Sequence, residues 1–539
     1  MFEFSWRVRR NFWAAVATIS ILANPQFAQS QEQSPANNDR PNIVVFLVDD
    51  LGWQDTSVAF SSEETGFQKH FRTPHVQRLA NRGVRFVNAY AHCVCSPTRT
   101  SIITGQNPTR HHVTNWTLYP DKDQSGKTTR LAAPANWNVK GIQPAASHLP
   151  SLLTSAGYRT IHCGKAHWGA IGTAGSDPEN LGFAVNIAGH SAGAPGSYQG
   201  SDNFGNHPDG AQKLPWGVPG LEKYHGTETH LSDALAIEAS AAIEAAVNDR
   251  QNFFLYMAPY AVHTPIQSHP KFIENYQDKN YDGTEIKIPK TEADYASMVE
   301  GYDDALGQIL ATITRLNVAD KTIILFTSDN GGLSVHGRGM TFRGTGKNTH
   351  CWPLREGKGS AYEGGTRVPM IVSWATTDSG SSLQKQIPIQ SGSVSQAHVV
   401  SEDIFPTVCR WAGVTLADEL AKNMDGQDLT DFATNPAAVN SSRPLLFHYP
   451  HVWGPQGDGY QPHSSLRIGE WKVIYFYDQQ QWELYNLEND IGETTDLATR
   501  NPERLQQMAS ALIEQLNSHD AQYPTLIESG KPATPQQPE

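Results

Sequence analysis

Five cysteines among 539 residues is a small and odd number, which excludes a fold held by a dense disulfide framework. Long apolar runs are scarce as well. The run Phe12 to Ala23 is shorter than the roughly 20 residues a bilayer span needs, and no longer one follows it. Positive charge is in deficit, with 41 Lys and Arg against 54 Asp and Glu and a net charge of −13. That balance argues against nucleic-acid binding, and it means that any anionic ligand must be met by cations gathered locally. What remains is a globular, loop-rich composition with 38% hydrophobic residues, 44 Gly, 33 Pro and 13 Trp. A chain of this length has room for one large α/β domain and a smaller one.

The N-terminus reads Arg7, Arg9 and Arg10, then Phe12 to Ala23, then Asn24-Pro25-Gln26-Phe27-Ala28, the order of a secretory signal peptide. Residues 1–28 are therefore expected to be removed, giving a secreted or periplasmic product with no stable membrane span. An uncleaved N-terminal anchor ranks lower because the run is short. Residues 29–40, rich in Gln, Ser and Asn, read as a disordered lead-in.

The folded part opens on Ile43-Val44-Val45-Phe46-Leu47-Val48, apolar on both faces as a central parallel strand should be, and ends in Asp49-Asp50. The same grammar returns at Thr322 to Ser328, which ends in Asp329-Asn330-Gly331-Gly332 after an amphipathic helix carrying Tyr295, Met298, Val299, Tyr302, Leu306, Ile309, Leu310 and Ile313. In an open parallel sheet the carboxyl ends of the strands face one crevice, where ligands bind. Asp49, Asp50, Asp329 and Asn330 should therefore converge. Hard oxygen donors of this kind select Ca²⁺ or Mg²⁺ over Zn²⁺. Either motif alone would more often be a turn or a helix cap; two of them at matching strand ends favour a site.

Two further strand ends carry cationic groups. Tyr158 to Cys163 runs into Gly164-Lys165-Ala166-His167, and Phe253 to Ala258 runs into Pro259-Tyr260-Ala261-Val262-His263. A glycine-rich stretch, Glu356-Gly357-Lys358-Gly359 to Glu363-Gly364-Gly365, precedes another buried run, Met370-Ile371-Val372, and makes Lys358 a candidate oxyanion contact. The spacing is not that of a P-loop. At Cys95-Ser96-Pro97-Thr98-Arg99, running to Thr104-Gly105, a cysteine stands at a helix start with a proline preset for the first turn, hydroxyls suited to capping and a glycine stop. A merely reactive thiol is the plain alternative.

The C-x-P-x-R run followed by Thr-Gly resembles the signature of the type I, formylglycine-dependent sulfatases of the alkaline phosphatase superfamily, and the other motifs follow in that family's order. Ala166 departs from it, standing where the family usually has an aromatic residue. The resemblance implies an alkaline-phosphatase-like α/β fold, a large mixed but mostly parallel sheet flanked by helices, with a smaller C-terminal antiparallel-sheet subdomain. It implies that a formylglycine-generating enzyme converts Cys95 to an aldehyde during maturation. By the same resemblance Asp49, Asp50, Asp329 and Asn330, with the residue made from Cys95, hold one Ca²⁺. Arg99 and Lys165 orient the modified residue, Lys358 neutralises sulfate oxygens, His263 protonates the leaving oxygen and His167 takes a proton to release sulfate. The expected activity is hydrolysis of a sulfate monoester, and Asn186 to His190 and Gly196-Ser197-Tyr198 resemble segments of secreted bacterial polysaccharide sulfatases. A phosphate or phosphonate ester hydrolase and a non-catalytic glycan-binding protein are the rival readings.

The expected domains are a catalytic one over 41–430 and an α+β subdomain over 440–525, the latter from short runs at Leu445–Tyr449, Ser465–Ile468, Trp471–Tyr477 and Trp482–Leu487 and a helix from Pro502 to Ser518. Ser401 to Leu416 reads as a helix closing the first domain. Residues 190–228 and 266–290 read as long surface loops, and 526–539 as a loose tail. His448, Tyr449, His451 and Trp453 are candidate sugar-stacking aromatics, or else packing between the domains.

Overall fold

The computed structural model describes residues 39–61, 69–281, 284–334, 338, 350–453 and 459–538. The expected signal peptide and most of the lead-in lie outside these residues. The strands, in chain order, are β1 (Asn42–Val48), β2 (Gly83–Tyr90), β3 (Leu131–Ala132), β4 (Arg159–Gly164), β5 (Val185–Ile187), β6 (Phe253–Ala258), β7 (Thr322–Ser328), β8 (Met370–Trp374), β9 (Ser393–Val400), β10 (Leu445–Tyr449), β11 (His463–Ile468), β12 (Trp471–Phe476), β13 (Gln481–Asn486) and β14 (Thr525–Leu526). The main helices are α1 (Pro74–Arg82), α2 (Cys95–Thr104), α3 (Leu231–Asn248), α4 (Lys290–Arg315), α5 (Ile404–Trp411) and α6 (Pro502–Ser518).

Eight strands form one sheet in the order β5-β4-β6-β1-β7-β8-β2-β9. β1 lies parallel between β6 and β7, with Val45 opposite both Tyr256 and Leu325. Only β8 runs against its neighbours. Its amino end therefore lies at the same edge as the carboxyl ends of the other seven strands, which is how a loop preceding a strand joins loops that follow strands.

The doubly apolar reading of β1 has a direct cause. Ile43, Val45 and Leu47 belong to a core shared with Ile102 of α2 and Phe405 of α5, whereas Val44, Phe46 and Val48 belong to one shared with Leu235 of α3 and Tyr302 of α4. Both faces are covered by helices, so successive side chains on opposite faces are all buried. Burying one such side chain stabilises the fold by about 1.5–3 kcal/mol. β10 to β13 form a four-stranded antiparallel sheet whose Leu466, Val473 and Leu484 pack with Met508 and Leu512 of α6. Among the described residues no helix is long and apolar enough to cross a membrane.

Several expectations need correction. The helix expected over Ser401 to Leu416 is a short turn followed by α5 alone, and the edge strand β9 precedes it unannounced. The stretches read as surface loops are anchored in the core: Tyr198, Phe204, Val218 and Leu221 are fully buried, and Tyr276 nearly so. Apolar residues isolated among glycines and polar residues have no period to reveal them, yet each plugs into the core. The supposed tail is docked, since β14 pairs with β3 and the Trp482 indole donates to the Gln536 carbonyl at 3.0 Å. His448, Tyr449 and His451 are buried and bound to Ser464, Asn115, Thr114 and Ser125, so they are packing residues and not a sugar platform. All five cysteines are buried and free, so no bridge forms.

Candidate active site

β1 and β7 are adjacent and parallel, so the residues after them emerge side by side. In an extended strand Asp49 and Asp50 would point to opposite faces. Asp50 instead takes φ 60°, a left-handed turn that an aspartate tolerates, and its amide donates to Asp329 Oδ1 at 3.1 Å. The Ser328 hydroxyl accepts the next amide, from Leu51, at 2.9 Å. Both aspartates are thereby turned into one crevice with Asp329 and Asn330.

Three cations balance the three carboxylates, and all six groups are at least 98% buried. Lys165, at the end of β4, donates to both oxygens of Asp49 at 2.7 Å. Arg99, from the first turns of α2, donates to Asp329 Oδ2 at 2.8 Å and to the Lys165 carbonyl at 2.7 Å. Lys358 reaches Asp50 at 2.7 and 2.9 Å. Burial opposes ionisation of Asp50, but Lys358 and then His263 hold its carboxyl well below the usual range. Burial likewise opposes ionisation of Asp329, which Arg99 and Lys165 hold below it. Asp49 goes the other way: burial, with the neighbouring Asp329 and Asp50, pushes it well above despite Lys165.

The Lys358 loop is pinned from both sides. The Lys358 amide donates to Gly332 at 2.9 Å and the Gly359 amide to the Cys93 carbonyl at 2.7 Å. Gly359 has φ +87°, and a Cβ there would lie 2.1 Å from the Trp453 ring, so only glycine fits. Gly331 is as constrained, because a Cβ would lie 1.9 Å from the Gly364 carbonyl oxygen.

Cys95 is the first residue of α2, its Sγ 3.9 Å from Asp49 Oδ1. The helix has no side-chain cap at its start; the Ser96 hydroxyl donates instead to the His167 carbonyl at 2.9 Å. The glycine stop is as expected, Gly105 closing the helix at φ 70°. Burial pushes the Cys95 thiol up to about 11 in spite of Lys165 and Lys358. The unmodified group is thus a neutral thiol at pH 7, unlike the activated cysteines of thiol enzymes.

His263 lies at the mouth, its Nε2 3.6 Å from Asp50 and its Nδ1 2.8 Å from the Thr264 carbonyl. Burial and Lys358 bring it down to about 3, so the ring is neutral, with Nδ1 carrying the proton and Nε2 facing Asp50. His167 also has a positive φ, 60°. Its Nε2 donates to the Thr117 carbonyl at 2.8 Å, which leaves Nδ1 buried and unpartnered. Burial, Lys165 and Arg99 hold its pKa well below the ordinary value. No hydrogen bond joins the His167 ring to Cys95.

Three further residues support this site in roles that the sequence does not reveal. Thr117 sets the His167 tautomer, Ser328 holds the turn after β1, and Tyr198 donates to the Tyr260 and His263 carbonyls at 2.5 and 2.9 Å. Thr117 and Tyr198 come from loops distant in sequence, and a lone hydroxyl or carbonyl carries no local signal.

The donor set fits a hard divalent cation. Asn330 Nδ2 donates to Asp50 Oδ1 at 2.8 Å, whereas Asn330 Oδ1 is buried with no partner. Ligand atoms of Asp49, Cys95 and Asp329, and likewise of Asp50, Cys95 and His263, lie within 4.8 Å of one another. An orphaned amide oxygen beside three carboxylates is a poor way to finish a core and a good way to hold Ca²⁺ or Mg²⁺.

A sulfatase family profile matches residues 41–414, which include all of these groups. The chain belongs to the sulfatase family. It is a sulfuric ester hydrolase with the mixed, mostly parallel sheet of that family. A profile described as N-sulphoglucosamine sulphohydrolase, C-terminal, matches residues 357–522 of the sulfatase. A sulfatase of Formosa agariphila is 29% identical over 530 residues, covering 91% of this chain and 90% of that one. An N-acetylgalactosamine-6-O-sulfatase of Bacteroides thetaiotaomicron is 25% identical over 539 residues, covering 89% and 94%. Among solved structures, Ps i-CgsB in complex with k-i-k-neocarrahexaose superposes with a TM-score of 0.65 at 26% identity, covering 90% of this chain and 95% of that one.

Proposed function

We propose that this sulfatase removes sulfate from a sulfated carbohydrate, with formylglycine made from Cys95 by a formylglycine-generating enzyme and one Ca²⁺ held by Asp49, Asp50, Asp329 and Asn330. The observation that carries the reading is the convergence of three buried carboxylates, an unpaired amide oxygen and Cys95 between Lys165 and Lys358. The carbohydrate class is supported by the N-acetylgalactosamine-6-O-sulfatase relative and by the neocarrahexaose complex. Held by these four residues, such a cation would supply positive charge against sulfate oxygens and acidify a hydroxyl placed beside it.

The chain's own residues have separate tasks. Arg99 and Lys165 hold Asp49 and Asp329 in place, and Lys358, already against Asp50, turns to a sulfate oxygen. These are the local cations that a net charge of −13 made necessary. His263 Nε2, at the solvent-reached mouth beside Asp50, takes a proton from water as the anionic ester offsets Lys358, and passes it to the departing sugar oxygen. His167, its Nε2 locked on Thr117, has Nδ1 free to take a proton when sulfate leaves. The N-terminal leader directs the protein to the periplasm or the exterior.

Mass spectrometry of the tryptic peptide Phe86 to Arg99, from protein secreted by its own host, tests this. An aldehyde at Cys95, with sulfate released from sulfated sugars and little turnover of an aryl phosphate, is expected. A thiol in fully active protein overturns the nucleophile, and faster turnover of the phosphate overturns the substrate class.

A further inference from the structure

The turn that carries His263 is held from two sides. On one it is tied to the main chain of Asp49: the Val262 amide donates to the Asp49 carbonyl at 2.7 Å, and the Asp49 amide to the Ala261 carbonyl at 3.1 Å. On the other stands Tyr198, whose single hydroxyl proton is shared between the Tyr260 and His263 carbonyls, 2.5 and 2.9 Å away. The His263 amide itself donates to the Tyr260 carbonyl at 3.0 Å, so one phenol grips both ends of the turn.

The His263 ring has no such hold of its own. Among the described residues its hydrogen bonds run only to the next residue, from Nδ1 to the Thr264 carbonyl at 2.8 Å and between Nδ1 and the Thr264 hydroxyl at 3.2 Å. Its Nε2 is 3.6 Å from Asp50, too far for a hydrogen bond. The ring therefore stands where its main chain puts it.

Tyr198 is fixed in its turn. It is fully buried, and its ring lies against that of His230 with centroids 5.5 Å apart and planes 12° from parallel. The Gln267 side-chain oxygen accepts the Tyr198 amide at 2.7 Å and the Ser197 hydroxyl at 3.2 Å, and the Gln199 side-chain amide donates to the Ser268 carbonyl at 2.9 Å. Two segments, 196–199 and 260–268, are thus stitched together behind His263. A phenylalanine at 198 would fill the same space, yet it would leave the two carbonyls without their donor.

We propose that Tyr198 is a positioning residue for protonation of the leaving group: through the two carbonyls it fixes where the His263 ring stands. This rests on the reading of His263 as the proton donor. A general acid contributes about 10²–10⁴-fold, and only while its proton lies within hydrogen-bond reach of the departing oxygen. A turn that drifts forfeits part of that factor.

The test compares two leaving groups. A sugar alkoxide is a strong base and leaves only with a proton, whereas para-nitrophenolate leaves without one. In Tyr198→Phe, kcat for a sulfated sugar should fall about tenfold with KM unchanged, and kcat for para-nitrophenyl sulfate should stay within about twofold. Gln267→Leu, which removes the acceptor of the Tyr198 amide, should split the two esters in the same direction by less. His263→Ala is the reference and should split them most. Equal losses on both esters in Tyr198→Phe, or no loss on the sugar, overturn the proposal; a His263→Ala that shows no split strikes the proton donor instead. A second readout needs no turnover. In protein with isotope-labelled histidine, the His263 Nδ1 proton should exchange with water about tenfold faster in Tyr198→Phe than in the native protein. An unchanged exchange rate overturns the proposal, even where the native protein hydrolyses neither ester and the proposed function has already failed.

Discussion

Two buried ionic clusters lie on either side of the glycine-rich loop, and they are built to opposite ends. In the active site Asp49, Asp50 and Asp329 face Arg99, Lys165 and Lys358, and the Asn330 amide oxygen is left over. Beyond the loop, Lys472 of β12 sits between Glu363 at 3.0 Å and Glu493 at 2.9 Å, and the other oxygen of Glu363 takes Tyr90 at 2.7 Å and Arg367 at 3.1 Å. The Glu363 amide donates to Glu493 at 2.6 Å. The first cluster keeps a neutral acceptor, the Asn330 amide oxygen, that no cation reaches; in the second Lys472 lies 2.9 Å from Glu493 Oε1, and the cluster ties the C-terminal sheet to the loop that carries Lys358. An incompletely paired buried cluster costs stability, and that cost is tolerable where a ligand completes it.

The largest effect should come from Cys95→Ala. Turnover should fall about a thousandfold or more, with the thermal melt unchanged, since the side chain is small and its thiol makes one long contact. A melt that collapses with activity would make Cys95 a structural residue.

Lys472→Met should do the reverse. Removing one partner of a buried ion pair costs about 3–5 kcal/mol, read as a lower urea midpoint, and turnover should drop only as far as the Lys358 loop loosens. Loss of turnover with an unchanged midpoint would show that the two clusters are not separate in kind.

Calcium sharpens the contrast. Added to chelator-treated protein at a hundred times its Kd, it should raise stability by about 2.7 kcal/mol. Asn330→Leu should erase that increment, and Lys472→Met should preserve it. An increment that survives Asn330→Leu would place the ion elsewhere.

The smallest effect is expected for Tyr90→Phe. Losing the hydroxyl that donates to Glu363 should cost about 1 kcal/mol and leave turnover of a small sulfated sugar unaltered. A marked loss of turnover would mean that the second cluster reaches into catalysis.

Much of the active site was legible because its chemistry stands at the ends of strongly apolar strands. β1 and β7 announce themselves by runs buried on both faces, and Asp49-Asp50 and Asp329-Asn330 follow directly. β9 escaped notice because it is an edge strand, half polar, with Val394 and Gln396 facing a cavity. His448, Tyr449 and His451 read equally as a sugar platform or as packing, because an aromatic side chain looks the same in sequence whether it stacks on a ligand or fills an interior.

The sequence by itself determined the donor types, the order of the strands along the chain and the cations an anionic ester would need. These are properties of single residues and of local period, which a linear reading retains. Tertiary structure alone decided which strands are neighbours and that β8 is reversed, so that Lys358 approaches from a loop before its strand. It also decided the tautomer of His167, the burial of Cys95 and the cleft between β2, β9 and the C-terminal sheet. Each of these depends on groups brought together across long stretches of chain, and no local pattern encodes such a meeting.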